Sequence, residues 1–434
     1  MKKIALHNLG CKVNAYETDA MQQLLEKAGY EIVPFEPGAD VYIINTCTVT
    51  NIADRKSRQM LHKAKKMNRD AIVVAAGCYV QVAKEEAALD PCIDILIGNN
   101  NKQDIVAILR EYEVSHKAEC YFDINGKGVP YEPLYIERTG RNTRAYIKVQ
   151  DGCNQFCSYC MIPYARGRVR SRHIEDVVRE AAALAANGYK EVVVTGIHVG
   201  SYGADLGEDE TLLELLRAVH QVEGIKRIRL SSLEPRTMSE EFVQALHGMD
   251  KLCPHFHLSL QSGCDETLRR MNRHYTTKEY YEVCCRLRDY YEHPAITTDI
   301  IAGFPGETLE EFESTKAFVQ KVGFYETHVF RYSKRKGTRA ADMPGQLEES
   351  AKAVRSAGLL ELDKANSRRF REYYIGREVE ALMEESICVC GQMYQAGHIR
   401  EYVKVAKRSE QPMVNLFVKG RIIGFLEDDV LLME

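Results

Sequence analysis

The sequence predicts an α/β protein built as three units: an N-terminal parallel α/β sheet domain, a central partial (β/α)6 TIM-like barrel and a small, OB-like C-terminal β-barrel. Three observations predict it. Apolar runs alternate with helix-period stretches over the first 100 residues, and the same alternation returns from residue 144 to 335. A charged helical stretch, 348–372, then gives way to short strands separated by turns. At 434 residues the chain exceeds what one core usually holds, and the expected domains are 1–115, 138–370 and 371–434.

In the first unit KIALHNLGC, DVYIINTC and AIVVAAGC read as strands, and YETDAMQQLLEKAGY, ADRKSRQMLHKAKKM and QVAKEEAAL as the helices that follow them. That order implies parallel βαβ units. Each strand run ends in a cysteine, at Cys11, Cys47 and Cys78. The carboxyl ends of parallel strands share one sheet edge, where ligands bind, so adjacent strands would bring the three thiols together. Gly10 and Gly77 precede two of them and let the backbone approach a bulky object. A cysteine at a strand end also packs well as a small hydrophobe, but three in matching positions favour a site.

Residues 101–143 read as a connector, punctuated by Gly126, Gly128, Pro130, Pro133 and Gly140. RAYIKVQDG, EVVVTGIHV, RIRLSSL, HFHLSLQSG, AITTDIIAGF and THVFRYSKR are then six strands with helices between. Six βα units fall short of a full eight-stranded barrel. In the tail, REVEALMEE, ICVCGQMYQ, HIREYVKVA, MVNLFVKG and IIGFLEDDVLLM are short strands.

Composition narrows the function classes. With 45% hydrophobic and 28% charged residues the chain reads as soluble. The opening MKKIALHNLG breaks at His7, too early for a signal peptide, and no window reaches a membrane span, so a cytoplasmic protein is expected. Its 14 cysteines then read as reduced thiols: metal ligands, catalytic groups or buried fillers. A net charge of -4 excludes wholesale basicity. Between Arg138 and Arg172, however, eight basic residues (Arg138, Arg141, Arg144, Lys148, Arg166, Arg168, Arg170 and Arg172) face one acid, Asp151, which points either to an anionic partner or to a solvated face.

GCNQFCSYC places Cys153, Cys157 and Cys160 in one loop at the carboxyl end of the first barrel strand. A zinc site with His173 as fourth ligand is one reading, although no second CxxC appears in the chain. An iron-sulfur cubane suits three close thiolates better, leaving one iron open to a substrate or cofactor. Tyr159 either sets a ring beside the ligand or packs in the core.

CxxxCxxC on the first strand of a partial barrel resembles the radical S-adenosylmethionine (SAM) enzymes. LGCKVNAYET, DVYIINTCTVT, AAGCYVQ, QDGCNQFCSYCMIPYARGRVRSR, HLSLQSG, DIIAGFPGET and YSKRKGT resemble a narrower group, the methylthiotransferases, over essentially the whole chain. The tail resembles a TRAM domain, a small RNA-binding barrel, and LGCKVN resembles the branch acting on threonylcarbamoyladenosine in tRNA. The resemblance implies two 4Fe-4S clusters, one on Cys153, Cys157 and Cys160 that binds SAM, and a sulfur-delivering one on Cys11, Cys47 and Cys78. It implies replacement of the adenine C2 hydrogen by a methylthio group at position 37, in a tRNA anticodon stem-loop, with an electron donor protein and a sulfur donor as further partners; the alternatives are the same chemistry on isopentenyladenosine in tRNA or on a ribosomal-protein aspartate, and an RNA-binding module with a structural metal site. No acid-base dyad is needed for that hydrogen, and none is evident.

Softer expectations follow. The resemblance places Thr195 and Gly196 near the methionine amino group of SAM, while Glu234, Gln261 and Asp299, at or after strand ends, are candidates for its ribose or adenine. Arg166, Arg168, Arg170 and Arg172 would form a one-sided comb for phosphates on an extended segment, joined by Lys334, Arg335 and Lys336. Arg166 or Arg335 is also a candidate for the carboxylate of the threonylcarbamoyl group. His255 and His257 read as core histidines, and the eight remaining cysteines as buried fillers.

Overall fold

The architecture is that of a computed structural model describing residues 2–116, 119–122, 128–139 and 143–434. Gly126, Gly140 and Arg141 of the expected connector and basic stretch lie outside the described residues. Among the described residues no helix is long and apolar enough to cross a membrane.

Six strands, β1 (Lys3–Asn8), β2 (Glu31–Ile32), β3 (Val41–Thr46), β4 (Ile72–Gly77), β5 (Ile95–Ile97) and β6 (Glu119–Tyr121), pair in parallel in the order β2-β1-β3-β4-β5-β6. Helices α1 (Lys12–Lys27), α2 (Asn51–Met67), α3 (Cys78–Val82), α4 (Lys84–Ala88) and α5 (Ile105–Ser115) cover its two faces. β3 is buried at every position, as a strand covered on both faces must be. The strand order reverses beside β1, so the crevice between β1 and β3 is a topological switch point. The single helix expected over QVAKEEAAL is instead two short ones, broken at Ala83.

The barrel strands are β7 (Arg144–Asp151), β8 (Arg170–Ser171), β9 (Glu191–Gly196), β10 (Arg227–Leu230), β11 (His255–His257), β12 (Ala295–Ala302) and β13 (Glu326–Arg331). β7, β9 and β10 run parallel in one sheet and β11, β12 and β13 in a second, linked by bridges at Ile228–Leu252 and Leu233–Leu258. The strand β8 is an antiparallel addition to β7. Amphipathic helices α6 (Ile162–Arg166), α7 (Ile174–Ala186), α8 (Leu212–Gln221), α9 (Glu240–His247), α10 (Asp265–Arg270), α11 (Thr277–Tyr290) and α12 (Leu309–Val322) lie between them, and the outward faces of the strands share one apolar core with α7, α8, α9, α11 and α12. Thr276 and Thr308 start α11 and α12 with full capping boxes. Across the open side of this barrel α1 lies against β7, with Tyr16 and Ala20 in the barrel's core.

The long helix α13 (Glu349–Glu372) leads to a closed ring of β14 (Glu378–Val389), β15 (Gln392–His398), β16 (Lys404–Arg408), β17 (Phe417–Glu427) and β18 (Val430–Met433). ICVCGQMYQ is not one strand, because Cys390 and Gly391 both take positive φ and form the β14–β15 hairpin turn. Of the cysteines expected to be fillers only Cys253 and Cys284 are buried; Cys120, Cys388 and Cys390 are exposed, and Cys92, Cys264 and Cys285 lie between.

Candidate active site

Cys47 and Cys78 follow directly on β3 and β4, and Cys11 comes three residues after the end of β1; the three strands are neighbours, so the sheet edge gathers the cysteines as the sequence pattern predicts. Their closeness requires glycine. A Cβ on Gly10 would stand 2.8 Å from Cys47 Sγ, and one on Gly77 only 2.5 Å from Asn45 Oδ1. Both glycines take positive φ, +100° and +96°. Asn99 Nδ2 lies 3.6 Å from Cys78 Sγ.

Beneath these thiols is a fully buried ionic network joining the sheet to the barrel. Glu17 of α1 contacts Arg166 Nη1 at 2.8 Å, Lys148 Nζ at 2.8 Å and Lys102 Nζ at 3.1 Å. Asp151 contacts Lys148 at 2.6 Å and Arg166 at 3.0 Å. Burial alone would raise both carboxyls; for Glu17 the cations Arg166, Lys102 and Lys148 reverse this and hold it well below the usual carboxylate range, and for Asp151 Arg166, Lys148 and Arg170 do so. Arg166 is the cation of this network that neighbours Cys11, Cys47 and Cys78, and its positive charge suits an anionic cluster.

The network also corrects the expected arginine comb. Arg166 ends helix α6 rather than lying on an extended segment, and it is wholly buried. Arg170 donates to Asn100 Oδ1 at 2.6 Å and to the Arg166 carbonyl at 2.8 Å, while Arg172 is held by Glu180 and Tyr16. Arg335 is spent on Asp54 at 2.6 Å and Thr48 Oγ1 at 2.7 Å, tying the segment after β13 to α2. None of the four faces a phosphate or an incoming carboxylate. Arg168, Lys334 and Lys336 remain exposed, Arg168 stacked over Phe156 at 4.6 Å.

At the carboxyl ends of the barrel strands, Cys153, Cys157 and Cys160 line a cavity of about 290 Å³ together with Tyr159, Glu234, Gln261 and Asp299. Val49 and Thr50, just after Cys47, line the same cavity. Arg273 was not foreseen: it donates to Cys157 Sγ at 3.3 Å and pairs with Glu234 at 2.9 Å. Only its place in space marks it, because MNRHYT carries no local signal. The Gln155 N–H points at Cys153 Sγ, 3.5 Å away. Such N–H···S contacts are what a cluster-bound thiolate takes. Burial pushes the Cys153 thiol up to about 11, Cys160 to about 12 and Cys47 to about 11, so cluster assembly would displace protons from these thiols.

Tyr159 both faces the cavity and packs edge-on against Phe304. Gln261 holds a left-handed backbone, φ 70°, pinned by its N–H to the Asp299 carbonyl at 2.8 Å. Thr195 and Gly196 end β9, but Ile197 and His198 are the residues lining the cavity there. The buried Thr195 hydroxyl has no partner among the described residues, which fits a polar ligand. His173 is exposed and bonded to Glu210 at 2.7 Å, so it is no fourth ligand for the loop.

Comparison with known proteins agrees with this geometry. Residues 147–319 match the radical SAM superfamily and residues 3–98 the uncharacterized protein family UPF0004. The chain is 40% identical over 98% of its length to the threonylcarbamoyladenosine tRNA methylthiotransferase MtaB of Bacillus subtilis, covering 94% of that protein. It is 38% identical over 88% of its length to the tRNA-2-methylthio-N(6)-dimethylallyladenosine synthase of Moorella thermoacetica, covering 87% of it. Among solved structures, the radical SAM methyltransferase TsrM of Kitasatospora setae shares the fold, with a TM-score of 0.56 at 17% identity over 76% of this chain and 72% of that one. The chain therefore belongs to the methylthiotransferase family of the radical SAM superfamily.

Proposed function

We propose that the chain converts N6-threonylcarbamoyladenosine beside the tRNA anticodon to 2-methylthio-N6-threonylcarbamoyladenosine. One observation carries the reading: Cys153, Cys157 and Cys160 line a cavity that the segment following Cys47 also lines. When bound, a 4Fe-4S cluster on the first triad would supply reductive cleavage of SAM, and one on Cys11, Cys47 and Cys78 would supply sulfur.

The chain's own residues do the rest. Arg273 bridges Glu234 and Cys157 and fixes the loop that carries the first triad. Glu234, Gln261 and Asp299 offer polar groups to the SAM ribose and adenine, and the Thr195–Gly196 turn to its amino group. Exposed Arg168, Lys334 and Lys336 hold anticodon stem-loop phosphates, and the target base, unstacked in a single-stranded loop, enters the cavity. An electron donor protein and a sulfur donor complete the turnover, and the enzyme works in the cytoplasm.

The Moorella relative's name favours a second reading, in which the substrate is N6-dimethylallyladenosine. Mass spectrometry of tRNA nucleosides from cells with and without the gene separates the two. Loss of 2-methylthio-N6-threonylcarbamoyladenosine alone supports the proposal; loss of the dimethylallyl product alone refutes it.

A further inference from the structure

Below the cluster loop the barrel lumen continues as a second polar layer. Ser259, Ile301 and Phe330 line the cavity, and in extended chain the residue two positions back projects to the same side. Those residues are His257, Asp299 and His328, on the neighbouring strands β11, β12 and β13. His257 Nε2 lies 3.3 Å from Asp299 Oδ2, and the His257 and His328 rings stack with centroids 5.7 Å apart. Thr297 Oγ1 holds His257 from behind, 3.0 Å from Nδ1. The buried Nε2 has no well-aligned hydrogen-bond partner among the described residues. Two imidazoles and a carboxylate thus face the lumen with bonding capacity to spare.

Lys12 supplies the charge. It opens α1 directly after Cys11, and its side chain is exposed to solvent. Gly10 abuts Cys47, and the Val49–Thr50 segment after Cys47 lines the cavity, so Lys12 starts its helix at the rim of that cavity, with Asp299 among its electrostatic neighbours. Arg144 and Arg229 are each bound to Glu191 at 2.8 Å. Arg166 and Arg335 are committed to Glu17, Asp151 and Asp54. Lys12 joins Arg331, which lines the cavity, as a cation open to a ligand.

We infer that Lys12, His257 and His328, with Asp299 positioning His257, form the subsite that reads the N6 substituent of the target adenosine, and that the group it takes is anionic and carries a hydroxyl. The inference rests on the function proposed above and locates its specificity. Lys12 pairs with the substituent's carboxylate. His257 and His328 exchange hydrogen bonds with its hydroxyl and carbamoyl oxygens, and Asp299 Oδ2, 3.3 Å from His257 Nε2, orients that ring. A dimethylallyl group in the same place would leave Lys12, His257 and His328 unpaired, the arrangement that rejects an analogue most strongly.

The test uses reconstituted holoenzyme and synthetic anticodon stem-loops bearing N6-threonylcarbamoyladenosine or its neutral carboxamide. Binding is read by fluorescence anisotropy and turnover as methylthio product. The wild type should favour the acid over the amide by roughly 100-fold in kcat/KM. Lys12→Met should bring that ratio near one while keeping iron content and 5′-deoxyadenosine formation. His328→Gln, at an exposed position, should weaken binding of both stem-loops by roughly 10-fold. A Lys12→Met enzyme that keeps the acid preference, or that loses acid and amide equally, would overturn the subsite with the substrate reading intact. A wild type active only on dimethylallyl stem-loops would overturn both. His257, Asp299 and His328 keep their ligand atoms within 4.8 Å of one another, a spacing that also suits a divalent ion. A stoichiometric non-cluster metal lost in His328→Gln would overturn the inference too, because the imidazole lone pairs would then be engaged.

Discussion

The arginines of the basic stretch divide into two classes that spacing alone does not separate. Arg166 lies at the centre of the buried network with Glu17 and Asp151, so Arg166→Met should cost about 3–5 kcal/mol by leaving carboxylates short of a partner. Chemical denaturation measures that loss. Arg168, Lys334 and Lys336 are exposed, and changing each to Ala should leave stability within about 0.5 kcal/mol. Each should instead lower the slope of log K against log salt for tRNA binding by about one. The sequence displays eight cations against one acid, but Glu17 and Glu180, which bury Arg166, Lys148 and Arg172, come from α1 and α7. Burial of a charge depends on partners distant in sequence, and no local pattern announces them. Arg273, paired with Glu234, was illegible for the same reason.

Elements were far more readable, because periodicity and strand-end chemistry are local. The three strand runs ending in cysteine predicted the sheet edge that gathers Cys11, Cys47 and Cys78, and six runs predicted the open barrel. Misjudged boundaries fell where a turn sits inside an apolar stretch, as at Cys390–Gly391 in the tail. The strand-end geometry yields a sharp expectation for Gly77. Its backbone, φ 96° and ψ -154°, belongs to a region open only to glycine, and an added Cβ would meet Asn45 Oδ1 at 2.5 Å and the Thr46 carbonyl at 2.9 Å. Gly77→Ala should therefore destabilise the fold by about 1–3 kcal/mol and reduce iron by about four atoms per chain, with 5′-deoxyadenosine formation retained. Iron analysis and a cofactor-cleavage assay read both effects.

At the scale of the whole molecule, the C-terminal ring packs on the amino-terminal ends of the barrel strands, away from the cluster loop. Arg227 donates to the His398 carbonyl at 2.9 Å, Arg229 to the Ile399 carbonyl at 2.9 Å, and Arg144 to Tyr402 Oη at 2.7 Å. The network turns on Glu191. Burial works against its charge, but Arg229, Arg144 and Arg227 overcome this and bring its pKa down to about 2. A depressed carboxylate stabilises the fold above its unfolded pKa and loses that contribution as pH falls through the folded value. About 3 kcal/mol should thus disappear between roughly pH 4.5 and pH 2 in the metal-free protein. Glu191→Gln should start less stable at neutral pH and show a flatter decline over that window in acid-denaturation curves.

If both cysteine triads hold cubanes opening on one chamber, iron and sulfide analysis of anaerobically prepared protein will show it. The wild type should carry about eight irons per chain, and triple Cys→Ala variants of either triad about four. Only the variant lacking Cys11, Cys47 and Cys78 should still release 5′-deoxyadenosine. Zinc in place of iron, about four irons in the wild type, or cofactor cleavage surviving the loss of Cys153, Cys157 and Cys160 would contradict it.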